Sequence, residues 1–319
     1  MDKHWDAYCG LSLVHFLAFP DCGGGDGPIL ETVTQIAGDD FFSAIEISRV
    51  NDPSVRRQVA QLIEQTHLRV DFGAHPMILG GKLNISSLDS SERTKARQAL
   101  EPYVDQAAEI GARRFVLLSG PDPGEDKRAT ATQYLIESLQ QLCVYARERH
   151  MPVVLETFDR KVDKKALIGP ADEAAAVAAA LRKDFPDFGL LYDQGHMVLL
   201  DETPLQGLGR LKEYLVHVHV GNCVKVPGRA SYGDFHPRFG FPGSANDVPE
   251  LVEFLDALFQ VGYLSENPAV GSRPGVGFEV RPQAGETSAA ILANIKRAWR
   301  EAWPAVQGTK AIRNMGRPA

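Results

Sequence analysis

Short apolar runs alternate with longer segments of helical periodicity from one end of the chain to the other. Runs rich in β-branched and aromatic residues predict strands at 10–18, 42–48, 68–74, 113–119, 152–158, 188–193, 215–221 and 276–281. Between them the spacing predicts helices over 28–38, 53–66, 90–111, 128–149, 171–184, 203–213, 247–262 and 286–303. The helix at 90–111 has the clearest pattern: Ser90 or Ser91 reads as its N-cap, Ala99, Tyr103, Ala107 and Ile110 as its apolar face, and Gly111 as its stop. Eight βα units in succession predict an α/β fold, a single closed (β/α)8 barrel rather than an open doubly wound sheet. No GxGxxG fingerprint follows the first strand, since Gly23, Gly24 and Gly25 are consecutive in a loop, and a dinucleotide site is not expected.

Length and composition narrow this picture. The 319 residues suit one barrel, with 44% hydrophobic residues to fill it. Residues 1–304 are read as the barrel and 305–319, basic and aperiodic, as a poorly ordered tail. The apolar stretch GLSLVHFLAF follows MDKHWDAYC, which has two acids and no basic cluster, so it reads as the first strand rather than as a signal segment. No apolar run reaches the roughly 18 residues of a membrane span. A net charge of −7 argues against a nucleic-acid surface. Cys9, Cys22, Cys143 and Cys223 are scattered without zinc spacing and read as reduced thiols of a cytoplasmic protein. Two loops exceed the usual length. The one after strand 7 (223–247) is expected over the barrel mouth, and 265–275 on the opposite face.

The candidate chemistry sits at four strand ends. Glu156, Asp193, His219 and Glu279 each emerge near the C-terminal end of a predicted strand, and in a parallel barrel those ends converge on the catalytic face. Two Glu, one Asp and one His there form a hard, oxygen-rich site suited to Mn²⁺, Mg²⁺ or Co²⁺. A divalent ion chelated by a carbonyl and its neighbouring hydroxyl acidifies the C–H between them and stabilises the enediolate. Glu156 and Glu279, on different strands, can then act as base and acid from two sides of the substrate. Return of the proton to the same carbon gives an epimer, and to the neighbouring carbon an isomer. Loss of a leaving group from the next carbon gives elimination. His217 and His219 are read as facing different environments, with His219 the ligand and His217 a core or supporting residue. Glu46 reads as a supporting hydrogen-bond partner, and His75 as a residue facing the mouth.

These motifs (DxxH at Asp193 and His196, HVHVGN at 217–222, then FEV at 278–280) resemble the xylose isomerase-like TIM-barrel superfamily, in particular its sugar and sugar phosphate isomerases and epimerases. The resemblance covers about residues 10–303, with His217, His219, Gly221, Pro227 and Gly228 placed much as in ketose 3-epimerases. It implies that Glu156, Asp193, His219 and Glu279 hold the metal, Mn²⁺ foremost, and that His196 binds substrate oxygen. It further implies a small carbohydrate substrate and a homo-oligomer whose size no sequence feature fixes. The GDFHPRFG stretch resembles a loop that closes over substrate, which makes Asp234 and His236 candidate substrate contacts along with His75. Lys225 stands where many 3-epimerases have a substrate-binding Arg, and its ammonium cannot reproduce that planar fork. The ETFDRK segment lacks the second Glu of those enzymes, with Asp159 and Arg160 as possible substitutes.

Three other readings follow from the same residues. A lyase or dehydratase acting on an inosose, a 3-keto sugar or a 3-keto glycoside would use the same metal site, with Asp234 or His236 protonating the leaving oxygen. An apurinic endonuclease needs a further His after strand 4, where this chain has Ser119. A barrel that only binds a sugar would leave an acid cluster without a neutralising cation, which is costly.

Overall fold

The computed structural model describes residue 1, residues 3–265, residue 268 and residues 273–308. Eight strands, β1 (Gly10–Leu13), β2 (Ala44–Ile47), β3 (Arg69–Gly73), β4 (Phe115–Leu118), β5 (Val153–Glu156), β6 (Gly189–Asp193), β7 (Leu215–Gly221) and β8 (Gly275–Glu279), form one parallel sheet in the order β1-β8-β7-β6-β5-β4-β3-β2. The remaining edges meet through a parallel bridge between Val14 and Glu46 and a hydrogen bond from Ser43 N–H to Leu11 O, 2.9 Å, which brings the sheet round into a barrel. This is the (β/α)8 architecture that the alternating pattern predicts.

Eleven α-helices occur among the described residues, more than the eight predicted. The predicted eight are α2 (Ile29–Ala37), α3 (Pro53–Thr66), α5 (Ser90–Ile110), α6 (Glu125–Arg147), α7 (Ala171–Leu181), α9 (Pro204–Leu211), α10 (Val248–Gln260) and α11 (Ser288–Ala305). Three short ones, α1 (His15–Ala18), α4 (His75–Gly81) and α8 (Gln194–Leu199), follow β1, β3 and β6 directly. The predicted first strand, 10–18, therefore ends at Leu13, because the same apolar run turns into α1 at the barrel mouth. In α5 the cap is Asp89, whose carboxylate accepts from Ser91 and Glu92 N–H at 2.7 and 3.0 Å, rather than Ser90 or Ser91. Its buried face is Ala96, Leu100, Val104, Ala107 and Ile110, displaced from the predicted face because Leu100 and Val104 are wholly apolar, whereas Tyr103 carries a hydroxyl and Ala99 little apolar surface. Of the predicted tail, residues 309–319 lie outside the described residues.

The main core lies between the strands and the helical ring, while Val116, Val154 and Leu191 pack together as a separate small apolar group. The register of β6 against β7 shifts between Leu190 and Leu191, which puts Leu191 opposite His217 and Asp193 opposite His219. No helix of the described residues is long and apolar enough to cross a membrane.

Candidate active site

Strand ends set the site. Glu156 and Glu279 are the last residues of β5 and β8, Asp193 the last of β6, and His219 lies two residues from the end of β7. All four are buried, as strand residues inside a barrel must be. Asp193, His219 and Glu279 each present a donor atom within 4.8 Å of the others, and Glu156, His196 and Glu279 form a second such set.

Asp193 shows how the sequence builds this arrangement. Its Oδ1 caps α8, accepting from the N–H groups of Gly195 at 2.6 Å and His196 at 2.9 Å. The other oxygen, Oδ2, is buried with no hydrogen-bond partner. The DxxH spacing is thus one turn of a capped helix that places His196 beside Glu156, 3.4 Å from Nδ1 to Oε1. His196 donates from Nδ1 to Thr157 O at 2.8 Å and lies under the Phe158 ring, with centroids 4.1 Å apart.

His219 is oriented from below. Glu46 accepts from its Nε2 at 2.8 and 3.0 Å, and the same carboxylate accepts from His217 Nε2 at 2.7 Å. The expectation that His217 and His219 face different environments is corrected: two residues apart on a strand, they share a face, and both reach Glu46. With Nε2–H committed to Glu46, the lone pair of a neutral His219 sits on Nδ1. That Nδ1 lies 2.9 Å from Glu279 Oε2 and 3.5 Å from Glu156 Oε1. A lone pair so close to carboxylate oxygens requires a proton or a metal cation between them. The free Asp193 Oδ2 and the two Glu156 oxygens, buried and without aligned hydrogen-bond partners, point the same way. Three carboxylates and one imidazole therefore fit a hard divalent cation.

Electrostatics in the metal-free protein follow from burial and pairing. Burial alone would raise the Glu156 carboxyl, but His219 and His75 hold it below the usual range. Burial would lower His219, yet Glu46, Glu279 and Glu156 raise it well above the ordinary imidazole value. Asp193 is driven up to about 6, first by burial and then by Glu279, against the pull of His196.

Above this layer, His75 Nε2 lies 2.9 Å from Glu156 Oε2. Asp234 stands between two imidazoles, 3.1 Å from His196 Nε2 and 3.2 Å from His236 Nε2. Those three residues form another buried set of donors within 4.8 Å of one another. His236 holds a left-handed backbone (φ 49°), strain uncommon outside Gly, Asn and Asp and concentrated at functional sites. A cavity of about 350 Å³ opens over the acids, lined among others by Phe16, His75, Phe158, Asp234, His236 and Glu279. Its size suits a small ligand.

The structure brings His75, His196, Asp234 and His236 to the mouth but not Lys225. The Lys225 ammonium donates to Val198 O at 2.9 Å, pairs with the exposed Asp201 and does not line the cavity, so it is corrected as a substrate contact. Asp159 and Arg160 are also consumed elsewhere. Asp159 accepts from the N–H groups of Val162, Asp163 and Lys164, and Arg160 binds Glu173 and the carbonyls of Ala166 and Leu167. The loop they brace instead presents Lys164, which sequence reasoning missed. Its ammonium lines the cavity and lies 3.2 Å from Asp234 Oδ2. A lysine in a solvated-looking DRKVDKK run carries no signal of its own. Ser119 is turned into the backbone, donating to Gly120 O and accepting from Ile168 N–H, so it offers no ligand to the site.

A sequence model of the xylose isomerase-like TIM barrel family matches residues 36–294, and the chain belongs to that family. A search of curated proteins finds no match. Among solved structures it is similar to an L-ribulose 3-epimerase (TM-score 0.69, 18% identity, 97% of this chain and 100% of that one). It is also similar to a D-psicose 3-epimerase from Clostridium cellulolyticum H10 crystallised with D-tagatose (TM-score 0.61, 19% identity, 95% and 98% covered). A 3-keto-D-glucoside 4-epimerase from E. coli is a third such structure (TM-score 0.61, 18% identity, 91% and 98% covered). At these identities the likeness is one of fold.

Proposed function

We propose that the protein is a divalent-metal-dependent isomerase or epimerase of a small keto sugar or polyol, working by proton abstraction next to a carbonyl. The observation that carries this reading is the convergence of Glu156 and Glu279, from β5 and β8, on the Nδ1 side of His219 with an unpartnered Asp193 oxygen beside them. Glu156, Asp193, His219 and Glu279 would hold the cation, Mn²⁺ foremost and Mg²⁺ or Co²⁺ next. Bound there, it would supply the Lewis acidity that makes a C–H beside a carbonyl removable.

The chain's own residues do the rest. Glu156 and Glu279 approach from different strands, so one removes the proton and the other returns it. His196 and His75 flank Glu156 and would hold substrate oxygens. Lys164, Asp234 and His236 form the polar rim, while Phe16 and Phe158 wall the cavity and exclude water. The ketose and keto-glucoside epimerases among the structural neighbours support the substrate class. The four cysteines are free and buried, which fits a reducing, cytoplasmic setting. By analogy with the family we expect a homo-oligomer.

One observation favours a lyase as the second reading. Burial would lower His236, but Asp234 and Glu279 raise it, so it can stay protonated and act as an acid over the cavity. Product analysis separates the two. Mn²⁺-loaded protein incubated with ketohexoses, inososes and 3-keto glycosides should yield an epimer or isomer, with His236→Gln raising KM. An enone or released alcohol, abolished by His236→Gln, would establish the lyase and overturn the leading reading.

A further inference from the structure

The cavity over the acids has two chemically different sides. The deep side carries His75, Asp234, His236 and Glu279, all buried. The outer side is mostly apolar: Leu17 belongs to α1, Pro20 follows it, Pro76 and Leu79 lie on α4, and Phe235 comes from the loop after β7. Lys164, tied to Asp163 and Asp234, and the exposed Arg281 also face the cavity. Leu79 is 43% exposed and Phe235 44%, two of six large apolar side chains exposed among the described residues. Single exposed apolar side chains are ordinary, but apolar groups gathered on one cavity and bordered by polar ones mark a binding surface.

Local structure sets each exposed apolar group beside residues that reach the acids. On α4, His75 Nε2 lies 2.9 Å from Glu156 Oε2, and Leu79 follows four residues later on the same helix face. That spacing is a rise of about 6 Å along the axis. In the loop after β7, Asp234 and His236 are 3% and 6% exposed, while Phe235 between them turns outward. The backbone there is pinned: the Phe235 carbonyl accepts from Gln283 Nε2 at 2.9 Å, and the His236 carbonyl from Arg281 N–H at 2.7 Å. A second cavity, of about 410 Å³, adjoins the first, with Leu79 and Lys164 lining both. Ile78, Leu83 and Leu118 give it apolar walls, and Asn84 and Ser119 polar ones.

On the basis of the keto-sugar chemistry proposed above, we infer that the substrate is a glycoside rather than a free sugar, with its keto sugar ring on the acids and an apolar aglycone against Leu79 and Phe235. A free hexose carries hydroxyls around the whole ring. Those turned toward Leu79 and Phe235 would lose water without gaining a partner. A glycoside presents its hydroxyls to His75, Asp234 and His236, and its aglycone covers the outer side. The adjoining cavity gives an aglycone larger than one ring room to extend.

Equilibrium dialysis of the Mn²⁺-loaded protein against methyl and phenyl 3-keto-β-D-glucosides, with deuterium incorporation from D₂O followed in parallel, tests this. The phenyl glycoside is expected to bind at least about tenfold more tightly, the gain from burying an aromatic ring. The ratio of the two affinities should fall toward one in Leu79→Ser and in Phe235→Ser. Both side chains are exposed, so both variants should keep the wild-type melting temperature. Equal affinity for the two glycosides in wild type, binding of neither, or a phenyl preference that survives both substitutions would overturn the assignment. If the preference survives while the variants dissociate an oligomer in gel filtration, this surface is a contact with a second copy of the chain and the assignment falls. The two proposals fail separately. A phenyl preference without deuterium exchange would keep the aglycone site and remove the proton transfer, and exchange without a phenyl preference would do the reverse.

Discussion

Glu46 touches no part of the mouth, yet it decides which nitrogen of His219 faces the acids. Carboxylate partners of ligating imidazoles typically tune metal affinity by about 10–100-fold. Glu46→Gln should therefore weaken Mn²⁺ binding on that scale in a calorimetric titration, and unchanged affinity would mean that His219 does not ligate. Protonation gives a second check. In the metal-free protein His219, His196 and His236 are raised, so their stabilisation is complete below about pH 6.5 and is lost as pH rises through the folded values. Glu46, Glu156 and Asp234 are depressed, so theirs is present above about pH 4.5 and is lost as pH falls. Asp193, raised to about 6, works the other way and destabilises as it ionises. The metal-free Tm should peak between about pH 4.5 and 6.5. Mn²⁺ replaces the proton on His219, so its increment in Tm should grow from pH 6 toward pH 8 (both about, within the ordinary imidazole range). An increment independent of pH would contradict this.

At the scale of elements, close packing under the site is what allows its polar layer. A β-carbon added at Gly277 on β8 would lie 2.7 Å from Glu46 Oε1 and 2.8 Å from His219 Cδ2. Gly277→Ala should cost about 1–3 kcal/mol in urea denaturation. It should also weaken Mn²⁺ binding; wild-type values for both would mean that the layer can shift freely. The strands were legible because each is a short, mostly apolar run, and Glu156, Asp193, His219 and Glu279 at or near their C-terminal ends could be read directly. The short helices α1, α4 and α8 were not. Four to seven residues hold too little periodicity, and the apolar runs HFLA and HPMILGG look like strand extension or loop. Lys225 was misplaced for a related reason: position after a strand does not reveal that α8 offers it a carbonyl and Asp201.

For the whole molecule, both ends of the barrel depend on contacts far apart in sequence. Pairing of Glu46 with His217 and His219 spans more than 170 residues, and Arg69 reaches the Arg273 carbonyl across 204. Alternation predicts the barrel because each βα unit is local, whereas such long-range polar pairs leave no periodic trace. The central claim is that Glu156 and Glu279 move a proton next to a carbonyl in a site built around a cation. Its most direct measurement is solvent deuterium incorporation, followed by NMR, for Mn²⁺-loaded protein in D₂O with the ketohexose, inosose and 3-keto glycoside panel. The account predicts deuterium at a carbon beside the carbonyl of a substrate, with the rate reduced by about 10²-fold or more in Glu279→Gln. Exchange at the same rate in wild type and Glu279→Gln, or none with any member of the panel, would contradict it.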